Sequence, residues 1–314
     1  MVLLVDVVCV GNANLDMMFN VRRRAANDEK VDVDDFFECF GGSSANTAVG
    51  LSRLGWKVGY VCCIGSDESG SKFLMELKRE GIDTSQVRVV NGERTGFNVI
   101  LNFFNGKHVM YSYRGANEYL CDMNFDLEYL NSARIVYLSS IDYKLFKKFV
   151  EMFKSKKLRV KVAMTPGHRV LSMGYGRLIE DFNFLDILFM NRREFLMFTG
   201  VEPTLENVKR FLGYFDGCVV VTLGRDGAVA LESGELSKVD AFKVRVEDPT
   251  GAGDGFSAGF IHAYMKGMDL HDRLLLGNAV SALQIQKRGA RNGLPDKERL
   301  KRFLGEMGFN NVEV

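Results

Sequence analysis

Asp248-Pro249-Thr250-Gly251-Ala252-Gly253-Asp254-Gly255-Phe256-Ser257-Ala258-Gly259-Phe260 is the stretch on which the reading of this chain turns. Ahead of it Phe242, Val244 and Val246 alternate with charged residues, the period of a strand, and Asp248-Pro249 closes the alternation. Beyond it Phe256, Phe260, Ile261 and Tyr264 recur at helical spacing, which predicts a helix starting at or just after the glycines. Glycines let the backbone turn tightly and approach a ligand. The first N–H groups of a helix have no intrahelical acceptor and, with the helix dipole, favour an anion. Asp254 is a poor neighbour for that anion unless it does chemistry. As a general base it would take a proton from a hydroxyl attacking a phosphorus held by those N–H groups. An acid in a first helical turn also serves as a cap, and the stretch alone leaves both readings open. The chain contains no G-x-x-x-x-G-K-[ST] loop, and the stretch is not G-x-G-x-x-G either.

The 314 residues are 46% hydrophobic and 26% charged, with a formal net charge of +1, enough for one large core or two modest ones. Near-neutrality argues against broad binding to nucleic acid or membrane surfaces. Arg22-Arg23-Arg24 and Lys154 to Arg159 are short basic runs that read as solvated faces. Cys9, Cys39, Cys62, Cys63, Cys121 and Cys218 form no C-x-x-C pair, and several lie in apolar runs, as expected of buried thiols in a cytoplasmic protein. His108, His168, His262 and His271 match no metal-ligand spacing. The run Met1 to Val10 contains Asp6, lacks a basic segment and reads as a buried strand. No apolar run approaches the ~20 residues of a membrane span.

Val5 to Val10 is the first strand, and Gly11 to Asp16 follows at its carboxyl end, where doubly wound sheets bind ligands. Met17, Phe19 and Val21, then Val31, Val33 and Phe36-Phe37, read as two or three short strands and not as a crossover helix. Gly41-Gly42-Ser43-Ser44 opens a second glycine turn before a helix from Ala45 to Leu54. Lys57 to Ile64 is a strand, and Gly70 to Glu80 a helix closed by Gly81. Thr95 to Leu101 and His108 to Tyr113 form a hairpin across Asn105-Gly106. The rest alternates strand and helix, with strands at 135–139, 160–164, 185–190, 218–222 and 228–232, and a long helix from Leu270 to Lys287. The expected architecture is a single α/β domain over residues 1–314. It has a mostly parallel sheet covered on both faces, plus a small β lid from about 13–40 and 92–114.

With these pieces in order, the chain resembles the ribokinase, or PfkB, family of carbohydrate and nucleoside kinases. The resemblance spans nearly the whole length. It rests on Gly41-Gly42 with Ala45-Asn46, on Asn191-Arg192-Arg193-Glu194, on Thr222-Leu223-Gly224 with Asp226-Gly227, and on the D-P-T-G-A-G-D-G-F stretch. It implies a ribokinase-like fold and transfer of the ATP γ-phosphate to a primary hydroxyl. Asp254 would be the base, and the backbone of Gly251, Ala252, Gly253 and Asp254 the anion hole. Asn191 and Glu194 would organise Mg²⁺-bound phosphates, Glu194 through water. Thr222, Gly224, Gly227 and Asn278 would contact the nucleotide. Asp248 and the Thr250 carbonyl match a monovalent-cation (K⁺) site.

Asn14, Asp16, Gly42 and Asn46 stand where the family holds sugar hydroxyls, since a carboxylate accepts two hydroxyls at once. Ribokinase-like members carry Lys at the position of Ser43 and Glu where this chain has Ser139-Ser140, which sets ribose itself in question. Arg114 is a candidate for an acidic or phosphorylated acceptor. The leading expectation is therefore a kinase of a small sugar or sugar acid. The alternative is a nucleoside kinase, with Phe103, Phe104 or Met110 forming a slot for the base. A sensor without catalysis has no use for Asp254. Apolar residues on both alternations of the lid strands predict a homodimer joined through the lids.

Overall fold

The structure is a computed structural model that describes residues 5–103, 108–212 and 215–314. Its strands are β1 (Val7–Gly11), β2 (Asn14–Val21), β3 (Asp35–Gly41), β4 (Val58–Gly65), β5 (Val87–Val90), β6 (Gly96–Phe103) and β7 (His108–Tyr113). They continue as β8 (Ile135–Ser139), β9 (Lys161–Thr165), β10 (Ile187–Asn191), β11 (Cys218–Thr222), β12 (Ala228–Glu232) and β13 (Glu235–Val239). The large sheet has the order β13-β12-β11-β10-β9-β8-β1-β4-β5. It is parallel from β11 to β5, with β12 and β13 added antiparallel at one edge.

Alternation along β1 explains why this sheet needs helices on both sides. Val7 and Cys9 enter one apolar cluster and Val8 and Val10 the other, because successive side chains leave a strand on opposite faces. A strand that is apolar on both faces belongs in the middle of a doubly covered sheet. The six cysteines are free thiols. Burial pushes Cys63 and Cys39 up to about 11, so they are inert packing groups.

The fold is thus the expected α/β architecture, ribokinase-like, with a mostly parallel sheet. Gly11, Ser139 and Thr165 lie in register at its carboxyl edge, as do Asn191 and Thr222. From this edge the chain passes through Asn12-Ala13 into β2 and a second sheet of order β3-β2-β6-β7. There β2 pairs parallel with β6, and the other two pairings are antiparallel. The Asn105-Gly106 turn signal lies outside the described residues.

Three readings are corrected. Phe242 to Val246 is not a strand but an irregular segment. Phe242 packs edge-on to Phe303 at 5.1 Å and Val246 is exposed. Alternate burial came from a loop lying on helices, without a pairing partner. Val31 and Val33 precede β3 instead of joining it, and Val33 is exposed. The long helix stops at Gln284, three residues short of Lys287, because the Gln284 side chain turns to hold the Thr250 and Gly289 carbonyls.

Candidate active site

The stretch from Asp248 to Gly251 is tied down before the helix Ala252–Met265 begins. Asp248 Oδ1 accepts the Thr250 N–H at 2.9 Å and its Oδ2 accepts the Gly289 N–H at 2.8 Å. Gln284 Nε2 donates to the Thr250 carbonyl at 3.1 Å and to that of Gly289 at 2.6 Å. Gly251 has φ 79° as the N-cap, and a Cβ there would lie 2.0 Å from the Ala290 carbonyl oxygen. Only glycine fits both the left-handed conformation and that approach. The Ala252 N–H turns back to the Pro249 carbonyl at 3.2 Å. That corrects the expectation that it is a free anion-hole donor. The N–H groups of Gly253 and Asp254 belong to the first helical turn, whose donors find no intrahelical acceptor.

Asp254 sits under the N-terminus of a second helix, Ser43–Arg53. Ser43 Oγ donates to Asp254 Oδ1, and Asn46 Nδ2 donates to Oδ2 at 2.7 Å. Thr47 Oγ1 donates to the Asp254 carbonyl at 3.3 Å. Behind Ser43, Ser139 Oγ at the end of β8 donates to Ser43 Oγ at 2.7 Å. The two helices can approach this closely because Gly50 faces Ala258. Burial raises the Asp254 carboxyl above the ordinary range. Ser43, Asn46 and the Arg291 cation pull the other way, and Asp16 adds to the rise.

Arg291 is buried, with 3% exposure. Its Nε donates to Asn46 Oδ1 at 3.1 Å, its Nη2 to the Gly41 carbonyl at 3.2 Å, and its Nη1 to Glu76 Oε1 at 3.0 Å. Sequence reasoning missed Arg291 and Asn98 as site neighbours and treated Ser43 and Ser139 only as departures from a pattern. Nothing local marks them, for their partners lie far off along the chain. The single hint for Arg291 is a cation in the otherwise uncharged run Gly289 to Pro295.

On the acceptor side, Asp16 is buried and its Oδ1 accepts Asn98 Nδ2 at 2.6 Å. Burial raises its carboxyl, opposed by Asn98 and Arg291. Asn14 Oδ1 accepts Asn117 Nδ2 at 2.9 Å, and Gly42 is the N-cap of the helix Ser43–Arg53. A cavity of about 610 Å³ opens between the small sheet and the turn, with Asp16, Met18, Phe103, Met110, Asp248 and Thr250 in its wall. Phe104 lies outside the described residues. Arg114 lines a different cavity, of about 410 Å³, that contains none of Asp254, Asp16 or Asn46. Its guanidinium faces Asp142 at 3.4 Å and Glu118 at 3.8 Å.

On the opposite side of the turn a cavity of about 1070 Å³ is lined by Leu223, Gly224, Pro249, Ala252, Asn278 and Ala282 among others. Pro249 borders both of these cavities, so the turn is the partition between them. Asn278 Nδ2 donates to the Val239 and Asp240 carbonyls, both at 3.2 Å. Gly227 closes the turn after β11, where its carbonyl accepts the Leu223 N–H at 2.8 Å. Thr222 ends β11 beside Asn191 and is not in the cavity wall. Asn191 and Glu194 form a capping box, each side chain accepting the other's backbone N–H at 2.9 Å. Burial raises the Glu194 carboxyl, with Asp254 adding to the rise.

Comparisons to known proteins place the chain in a family. The family model for pfkB family carbohydrate kinases matches residues 5–297. The 5-dehydro-2-deoxygluconokinase of Clostridium tetani is 29% identical, over 98% of this chain and 95% of its own. The nucleoside kinase of Methanothermobacter thermautotrophicus is 28% identical, over 97% of each chain. The structure of Arabidopsis thaliana ribokinase complexed with ribose and ATP superimposes with a TM-score of 0.85. It has 26% identity and covers 96% of this chain and 98% of that one. Among the described residues no helix is long and apolar enough to cross a membrane.

Proposed function

The chain belongs to the pfkB family of carbohydrate kinases, phosphotransferases with an alcohol acceptor, and we propose that it moves the ATP γ-phosphate to a primary hydroxyl of a small sugar or sugar acid. The observation that carries this reading is Asp254, half-buried at a helix N-terminus beside the turn that parts two cavities, with a donor on each carboxylate oxygen. The larger cavity takes ATP, with Gly224 and Asn278 of its wall as the nucleotide side, Gly227 and Thr222 outside that wall completing the proposed set, and Asn191 beside the phosphates. The smaller takes the acceptor, whose hydroxyls meet Asp16 of its wall; Asn14, Gly42 and Asn46, which are outside that wall, complete the proposed set.

Asp254 receives the proton of the attacking hydroxyl. The N–H groups of Gly251, Gly253 and Asp254 face the phosphoryl oxygens where charge grows. Phosphoryl transfer asks for little beyond this positioning and charge stabilisation. The donor set near the phosphate side is all oxygen, which fits Mg²⁺ keeping its waters. The capping box engages one Glu194 oxygen, and Glu194 would hold the ion through water while the ion draws charge off the phosphates. K⁺ would have to share Asp248 and the Thr250 carbonyl with the N–H groups and the Gln284 amide that already bind them, and no step is assigned to it.

The small sheet over the acceptor cavity is the lid of a single kinase domain. Phe36, Met110, Tyr111 and Tyr113 are exposed on it, which supports a homodimer through the lids. A monomeric mass by light scattering would exclude that. Arg114 serves an acidic acceptor only if it leaves Asp142 and Glu118. Phe103 and Met110 in the acceptor wall favour the second reading, a nucleoside kinase. ADP release with ATP and Mg²⁺ tests both readings, using ribose, 5-dehydro-2-deoxygluconate and inosine as acceptors. Turnover on the sugar or sugar acid supports the first, turnover on inosine alone supports the second, and none with any acceptor removes both.

A further inference from the structure

We propose that Arg291 is a positioning residue for phosphoryl transfer, holding the Asn46 amide in the one orientation that lets it donate to Asp254. The inference rests on the reading of Asp254 as the base. An asparagine amide can face a neighbour with its oxygen or its nitrogen, and here its two neighbours leave no choice. A guanidinium only donates and an ionised carboxylate only accepts. Asn46 therefore turns Oδ1 to Arg291 Nε at 3.1 Å and Nδ2 to Asp254 Oδ2 at 2.7 Å. The reverse orientation would set donor on donor and acceptor on acceptor.

The other arms of Arg291 keep it from moving. Nη2 is bound to the Gly41 carbonyl and Nη1 to Glu76, while the guanidinium carbon lies 5.9 Å from the Phe73 ring centre. One planar fork thus ties the segment after the helix Leu270–Gln284 to the end of β3 and to the helix Glu68–Arg79. The Asn46 amide is held in the middle of that tie. Lysine offers charge without the fork, so it would leave the cation in place and release the amide.

The groups facing Asp254 determine what the test must separate. They are Ser43 and Asn46 from the helix Ser43–Arg53, Arg291 from the segment after Gln284, and Asp16 from β2. Glu194 from the helix Arg192–Thr199, Tyr60 from β4 and Tyr137 from β8 complete the set. Of the groups facing Asp254, Arg291→Lys alters the held amide and keeps the net charge; its lost bonds to Gly41 and Glu76 do not touch the carboxylate. Losing the Asn46 donor raises the Asp254 carboxyl, so the acid limb of the pH profile must move upward.

The experiment is a double-mutant cycle between Arg291→Lys and Asn46→Ala, with Asp254→Asn alongside. Its readouts are ADP release on the three acceptors against pH, and titration of the Asp254 carboxyl carbon by NMR in protein carrying ¹³C-labelled aspartate. The NMR titration needs no acceptor. Arg291→Lys should shift the Asp254 titration upward by about one pH unit and lower turnover about tenfold. It should add nothing further in the Asn46→Ala background. Additive effects, or an unmoved titration, overturn the positioning role. Where Arg291→Lys fails to fold by thermal unfolding, Arg291→Gln goes through the same cycle. Loss of the cation raises the Asp254 titration in both backgrounds, so the expected result is a smaller effect in Asn46→Ala than in the unmutated protein, and equal effects overturn the role. Full turnover in Asp254→Asn would instead remove the base itself, a result distinct from an additive cycle around an inactive Asp254→Asn.

Discussion

The two halves of the cleft are built by different means. On the acceptor side, side chains from distant parts of the chain hold one another. Ser43 meets Asp254 across 211 positions, and Asn46 meets Arg291 across 245. On the nucleotide side the wall is made largely by neighbours along the chain, Leu223 to Asp226 and Asp240 to Val244, and its course is set by the Gly224 to Gly227 turn. Asn278 lines it as well and donates to the carbonyls of Val239 and Asp240. A half made of paired side chains is sensitive to their chemistry, because a buried partner left behind is costly. A half shaped by a glycine turn is sensitive to whether a Cβ fits.

The largest expected effect tests the acceptor half at its centre. Asp254→Asn keeps the shape and the neighbours but removes the base, so turnover should fall by about 10² or more while ATP binding persists. A titration of ATP binding beside the rate assay checks this, and near-normal turnover would break the comparison outright.

The nucleotide half is sharpened by two alanines. Gly227 has φ 84° and ψ −136°, and its Cβ would lie 2.0 Å from the Val239 carbonyl oxygen. Gly227→Ala should cost about 3 kcal/mol or more in stability and raise KM for ATP, because strain and clash add. Gly224 has φ 65° with no heavy atom within 4 Å of a Cβ. Gly224→Ala should cost only the left-handed strain, about 1–2 kcal/mol. Equal losses in thermal unfolding would mean that fit does not govern this wall.

A smaller effect belongs to Ser43. Ser43→Ala removes the donor on Asp254 Oδ1 and strands Ser139, so kcat/KM should drop about tenfold. The acid limb should move upward, since the lost hydrogen bond favoured the ionised carboxylate. KM for ATP should stay as it was, and a changed KM would show that the halves are not separate.

His262 provides the control, because acid can reduce activity by unfolding the protein. It is buried, and Trp56 Nε1 donates to its Nδ1 at 2.9 Å. Burial lowers it from 6.5 to about 4, so the folded state keeps it neutral where the unfolded chain is protonated. Its stabilisation is complete above pH 6.5 and fades as pH falls toward 4, at roughly 1.4 kcal/mol per pH unit. His262→Gln should flatten urea-derived stability over that window and leave the acid limb of kcat/KM in place.

The glycine turn before the helix Ala252–Met265, the β1 strand and the helix Glu68–Arg79 were legible because each depends on period and punctuation within a dozen residues. The same reasoning failed at Phe242 to Val246. Alternation reports which side chains are buried but not whether the backbone has a partner. Asn191 and Glu194 were legible as a pair at helical spacing, whereas their mutual capping appears only once the helix end is seen.

The sequence by itself determined the layered α/β order, the turn that carries Asp254, and the family, all of which are local or additive signals. Only the tertiary structure decided what surrounds that carboxylate. Ser43, Ser139, Asn46 and Arg291 come together because three chain segments converge at one sheet edge. Arg291 could not be assigned from its neighbours, Ala290 and Asn292. A hydrogen bond depends on distance in space, and no spacing along the chain encodes a partner 245 positions away.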